Sequence, residues 1–239
     1  MSIQWFFAKA SAILRACPPD PCKESPSDEQ RIKSVTLTGG QIQGDATSYY
    51  WYTRRLQQSL TASDYVTMGD YGWYKTTYRW EKNVLVEAVR EGEMLDNTDG
   101  LIPYMMHVRY NGNGEAVYQR YRKDDRIFPL MPNQLAQFQD QSKYLITKVE
   151  GLDKEGVALY QGEWDGETFY SCDGQQYDQL EFNQILPNFV VTRLSGLDSF
   201  ISFLGEEKNR DKKVLKMSEL LLLTDDSYTC VDRPELIED

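Results

Sequence analysis

Apolar and polar positions alternate with a period of two through much of the first half of the chain, and that period belongs to strands. The clearest run is GWYKTTYRW (72–80). Tyr74, Thr76, Tyr78 and Trp80 fall on one face and Trp73, Lys75, Thr77 and Arg79 on the other, as in a strand with one buried side. TSYYWYTRRL (47–56), rich in aromatic and Thr residues, predicts a second strand. VLVEAVREGEML (84–95) has no helix cap and predicts a third. YMMHVRY (104–110) and EAVYQRYR (115–122) flank Asn111-Gly112-Asn113-Gly114, a hairpin signal because Asn and Gly tolerate positive φ. The sum is an antiparallel sheet of about five strands, an ordinary size. Glycine-rich TLTGGQIQGD (36–45) reads as the end of a tether or a first turn.

The period then changes. In PNQLAQFQDQSKYLITKVEG (132–151), Leu135, Phe138, Leu145 and Val149 fall mostly at helical spacing, with Pro132 suited to a first turn and Gly151 to a stop. VALYQGEWDGETFYSC returns to strands as a hairpin on Asp165-Gly166. FNQILPNFVVTRLSGL predicts a helix with Phe182, Ile185, Phe189 and Leu194 on one side, Asn183 as cap and Pro187 in an early turn. SFISFLG (199–205) and KKVLK (212–216) predict strands, and MSELLLL (217–223) a short helix. The expected organisation is a leader and tether (1–45), an antiparallel β lobe (46–131), a linker helix (132–151) and a mixed, mostly β lobe (152–239). No repeat with a fixed period runs through the chain.

Composition narrows the function classes. A net charge of −11 opposes phosphate-backbone binding, so no nucleic-acid partner is expected. No run reaches the roughly 18–20 apolar residues of a spanning helix. The four cysteines, Cys17, Cys22, Cys172 and Cys230, include no C-x-x-C pair, and His107 is the only histidine, so no metal site is expected. No nucleophile elbow, zinc-protease helix, Walker loop or dinucleotide fingerprint is present, which leans away from an enzyme and calls for no cofactor. If the chain is exported, Cys172 with Cys230 is the expected disulfide, leaving Cys22 over; in the cytosol all four stay reduced.

Two resemblances bear on location and fold. Leu14-Arg15-Ala16-Cys17 resembles a bacterial lipobox, which implies a lipid anchor on Cys17; Lys9 and Arg15 depart from the usual signal, and an ordinary thiol is the alternative. PPDPCKESPSDEQ after it suits a tether. The run from SYYWYTRR through HVRYNGNGEAVYQRYR and FNQILPNFVVTRL to CVDRP resembles uncharacterised gammaproteobacterial proteins of the YjaH type, which implies an envelope lipoprotein. GEWDGETFYSCDGQQY (162–177) is similar to small envelope-lipoprotein barrels of the NlpE type. That likeness implies an OB-like, partly open barrel for the second lobe, within a mainly β (α+β) fold.

Three constellations remain. His107 on its strand reads as a half-exposed sheet histidine. Glu163, Asp165, Glu167 and Asp173 surround a hairpin tip, where carboxylates are usually solvated; a carboxylate-dependent envelope hydrolase is the enzyme alternative. Trp51, Arg54, Trp73, Arg79, Tyr118 and Arg120 belong to the residue types enriched at binding hot spots. They make a non-catalytic binding or assembly factor the leading expectation, its partner an envelope protein or glycan and its only membrane contact a lipid anchor. A cytosolic interaction protein is the further alternative.

Overall fold

The computed structural model describes residues 33–182, 186–196, 198–209 and 213–236. Cys17 and Cys22, with the leader and most of the tether, lie outside the described residues. The first sheet is an eight-stranded antiparallel meander in chain order: β1 (Val35–Gln43), β2 (Ala46–Arg55), β3 (Gln58–Thr67), β4 (Gly72–Glu81), β5 (Val84–Asp96), β6 (Gly100–Tyr110), β7 (Ala116–Lys123) and β8 (Arg126–Phe128). The expectation of about five strands was short in part because two turns carry weak signals. Besides β1, the strands missed are β3 and β8, and the turns that introduce them, at Leu56 and at Asp124-Asp125, take positive φ without a glycine.

Strand β1 corrects the reading of residues 36–45 as tether or turn. Gly39 and Gly40 lie inside it, on opposite faces. A Cβ on Gly39 would sit 2.8 Å from Leu152 Cδ1, and one on Gly40 would sit 2.9 Å from Leu221 Cδ1. Both glycines are therefore used for close approach, with a different element pressed against each side of the strand.

One face of the first sheet is filled by helix α1 (Pro132–Lys154), whose Phe138, Ser142, Leu145 and Val149 are buried. The helix runs past Gly151 and stops at Gly156, which takes φ 74°. Across from it the sheet contributes Leu37, Tyr52, Ala62, Tyr78, Ala88 and Val108. These residues form one continuous cross-strand row, so the strict alternation of each strand, added across the sheet, yields a single apolar floor.

The second sheet has the order β11-β10-β9-β13-β14-β12, built from β9 (Ala158–Trp164), β10 (Phe169–Ser171), β11 (Gln176–Tyr177), β12 (Gln179–Phe182), β13 (Ser199–Asn209) and β14 (Val214–Asp225). It curls into a nearly closed, barrel-like form, as the mainly β reading expected. Helix α2 (Asn188–Gly196) plugs it with Val190 and Leu194. The helix begins six residues later than the predicted one: Phe182 ends β12, and Phe189 is 73% exposed rather than inward. Residues 217–223, expected as a helix, continue β14, because pairing with β13 along its whole length satisfies backbone groups that leucine propensity alone does not place.

A third cluster joins the sheets: Tyr49 and Trp51 from β2 against Leu204 and Leu221. Tyr49 Oη and Ser202 Oγ lie 2.9 Å apart there, and the Leu159 amide donates to Thr38 Oγ1 at 3.1 Å. Cys172 and Cys230 form a disulfide with Cα atoms 6.0 Å apart. Beyond it, Arg233 donates to Thr53 Oγ1 and Thr61 Oγ1, so the C-terminal segment straps the outer face of the first sheet.

Candidate binding site

The site grows from one transverse row next to the apolar floor. In register across four strands stand Tyr50, Asp64, Thr76 and Arg90, all pointing to the α1 side. Two of them are buried members of a charge pair, Asp64 at 5% exposure and Arg90 at 8%. Arg90 Nε donates to Thr76 Oγ1 at 2.9 Å, and its Nη2 to Gln141 Oε1 of α1 at 2.7 Å. Its guanidinium lies 4.0 Å from the Tyr74 ring centroid and 5.0 Å from that of Phe138. A planar cation sandwiched this way keeps its charge without bulk water.

Asp64 is less well served. Tyr78 Oη donates to Oδ2 at 3.4 Å, yet Oδ1 has no partner among the described residues. Burial pushes the carboxyl above its ordinary range, against the pull of Arg90 and Thr76. Desolvation likewise raises Tyr50 and Tyr78, and Tyr104 to about 12. The hydroxyls around the carboxylate thus stay protonated and able to donate.

Asp64 lines a cavity of about 300 Å³ between the ends of β1–β4 and α1. Tyr50, Tyr74 and Tyr144 supply its aromatic walls, and Gln41, Ser48 and Gln141 its polar ones. At the mouth Tyr144 Oη donates to Gln41 Oε1 at 2.6 Å, bridging the helix and the first strand. None of the cavity residues was among the predicted site residues. The signal was a charge at an inward position of an alternating strand, Asp64 between Ala62 and Val66 and Arg90 between Ala88 and Gly92, where a fully structural strand carries an apolar residue.

A family profile described as a protein of unknown function, DUF1481, matches residues 38–235. The chain belongs to this family. No curated protein and no solved structure matches it. The DUF1481 match runs from within β1 to the strap after Cys230, so it takes in both sheets, both helices and the cavity.

In this DUF1481 chain the six residues expected on one binding surface are dispersed. Trp51 is 8% exposed and packs between the sheets. Arg54 turns to the opposite side, its guanidinium 3.5 Å from Glu150 and 3.6 Å from Asp153 of α1. Trp73 donates to Glu93 at 3.1 Å and stacks on Tyr65. Arg79 joins a cluster on the outer face, where Glu87 takes Arg79 at 3.1 Å, His107 at 2.8 Å and Arg109 at 2.9 Å. Partial burial works to raise the Glu87 carboxyl, but hydrogen bonds from Arg109, His107 and Arg79 outweigh it and hold the group below its usual value. His107, expected half-exposed, is thus a partner of Glu87, its ring 5.1 Å from that of Tyr118.

Tyr118 and Arg120 alone of the six stand open to solvent, on β7. With them the β7–β8 edge exposes Arg122, Arg126, Ile127 and Phe128. Arg120, Arg122 and Arg126 make no ion pair with a described residue. Of the hairpin-tip carboxylates, Asp165 Oδ1 accepts the Thr168 and Glu167 amides at 2.7 and 2.9 Å, which lowers its pKa, and Asp173 Oδ1 accepts the Ser171 hydroxyl at 2.6 Å. Among the described residues no group of three or more His, Cys, Asp or Glu is placed to hold a metal ion.

Proposed function

We propose that the chain is a non-catalytic binding or assembly factor of the bacterial envelope, anchored by acylation of Cys17, that engages an envelope protein or glycan through its β7–β8 edge. The observation that carries this reading is the edge itself. On a chain of net charge −11, Arg120 and Arg122 sit beside exposed Tyr118 and Ile127 on one face of the edge, without acidic partners among the described residues. Arg and Tyr in that combination favour an anionic or polar partner that desolvates them on contact. A short edge strand carrying charge also resists non-specific strand addition, so selective contact is what the edge permits.

The lipobox-like N-terminus and the envelope-type resemblance support the location, and the Cys172–Cys230 disulfide suits an oxidising compartment better than the cytosol. The hydrolase alternative draws no support from Asp165, whose carboxylate is spent on its own turn.

Photocrosslinking in cells from position 127, the exposed β8 position paired with Arg122 on the face of Tyr118 and Arg120, tests the edge. A discrete crosslinked species is expected, and Arg120→Glu with Arg122→Glu should abolish it while circular dichroism stays unchanged. No discrete species, or one indifferent to charge reversal, refutes the edge. Labelling with a palmitate analogue tests the anchor separately: label should vanish in Cys17→Ala.

A further inference from the structure

We infer that the cavity between α1 and the β1–β4 end of the first sheet is a binding site for a single neutral, hydroxyl-bearing ring, a sugar-sized polyol, held by the unpartnered oxygen of Asp64. The inference concerns a different surface from the β7–β8 edge and does not depend on it.

Three observations select this chemistry. The first is charge. Asp64 and Arg90 already balance one another in the buried row, linked through Thr76. A cationic ligand would leave a net positive charge there, and an anionic one would face the carboxylate; either adds a poorly solvated charge in a low-dielectric place. A neutral ligand adds none.

The second is the pairing of donors with acceptors. Asp64 Oδ1 needs a donor. Gln141 has its oxygen held by Arg90, so its NH₂ end is the one left for a ligand, and that end needs an acceptor. An ammonium group only donates and a carboxylate only accepts, whereas adjacent hydroxyls do both. The Ser48 hydroxyl, paired with the phenol of Tyr50, and the phenol of Tyr74 line the same space, each a hydroxyl that both accepts and donates.

The third is shape. Tyr50, Tyr74 and Tyr144 line the space with aromatic carbon, and about 300 Å³ is at the small end of ligand sites, suited to one unit and not to a chain. Tyr144 and Gln41, hydrogen-bonded at the exposed side of the cavity, stand where a ligand would meet solvent.

The test uses one ring in different charge states on the purified full chain, read by calorimetry and by saturation-transfer NMR. Glucose and N-acetylglucosamine are the neutral probes; glucosamine, kept protonated, and glucuronate are the charged ones. At least one neutral probe should bind, with both charged probes weaker by about tenfold or more. Asp64→Asn should weaken the neutral probe by about tenfold through loss of a charge-assisted hydrogen bond. If that variant does not fold, Tyr144→Phe, at an exposed position, should raise the dissociation rate several-fold with the fold intact. Absence of binding by all four probes overturns the inference, as does a charged probe that binds as well as the neutral ones. Neutral binding that neither substitution changes overturns it too.

Discussion

The two sheet interiors bury their side chains under different rules. The second is filled by Phe169, Ile201, Phe203, Leu215 and Met217, with no Asp, Glu, Lys or Arg in its core cluster. The first packs a similar apolar floor against α1 and then, two residues along each strand, adds the Tyr50–Asp64–Thr76–Arg90 row beside a cavity. The second sheet buries Gln161, Ser199 and Ser202 but, among the described residues, no charged one, so this chain can close a core without a buried charge. The charged row is thus more than sheet formation requires, since a buried ion pair rarely outperforms apolar packing of equal volume. A costly, half-satisfied carboxylate next to an opening is what a binding function retains.

The largest expected effects come from breaking each interior in its own currency. Arg90→Met strands Asp64 and should cost about 3–5 kcal/mol; Phe203→Ala leaves a cavity and should cost about 3–5 kcal/mol as well. Urea unfolding measures both. They part company in the second step: adding Asp64→Asn to Arg90→Met should recover a large share of the loss. If the double variant is as unstable as the two single losses summed, the row is a packing element after all.

Next in size is the disulfide, which ties the second sheet to the strap over the first. Cys172→Ser with Cys230→Ser opens a link of 58 residues in sequence and should cost about 2–4 kcal/mol. Hydrogen exchange should rise chiefly in the strap and at β10, with the α1-facing row unchanged; a rise throughout the first sheet would mean that the two interiors are not separable.

The smallest effect sharpens the comparison through the sign of its pH dependence. Glu87 on the outer face is held below its ordinary 4.5 by three cationic or hydrogen-bonding neighbours. Its stabilisation is present above that pH and lost as pH falls through the folded value, so wild type and Glu87→Gln should differ by on the order of 1 kcal/mol at neutral pH and converge in acid. Asp64 is displaced the other way, above its ordinary 3.8. Its contribution is fully present below that pH and declines as pH rises through the folded value, a decline that Asp64→Asn should remove. Two carboxylates on opposite faces of one sheet should therefore give pH–stability differences of opposite slope. Equal slopes would show that burial does not dominate at Asp64.

Much of the fold was legible because local periodicity and the final environment agreed. The alternation in residues 72–80 survives intact in β4, with Thr76, Tyr78 and Trp80 buried on the α1 side. The helix face of Phe138, Leu145 and Val149 survives in α1. Disagreement arose where a residue's use is decided by a distant partner. Gly39-Gly40 looks like a turn in isolation, yet it is mid-strand because Leu152 and Leu221 approach from opposite sides. The leucine run after Met217 has no period of its own, and β13 imposes one. Trp51, which composition marks as a surface anchor, is covered by the second sheet.

Chain order and the period-two pattern were enough to determine a mainly antiparallel protein with a long helix between two β regions, since both follow from interactions among near neighbours. Cross-strand register was not: it alone lines up Tyr50, Asp64, Thr76 and Arg90 from four strands and faces them with Gln141 and Tyr144 of α1. A site made by adding one residue from each of several strands has no signature in any of them, because the energy that holds it is spent between segments and not within them.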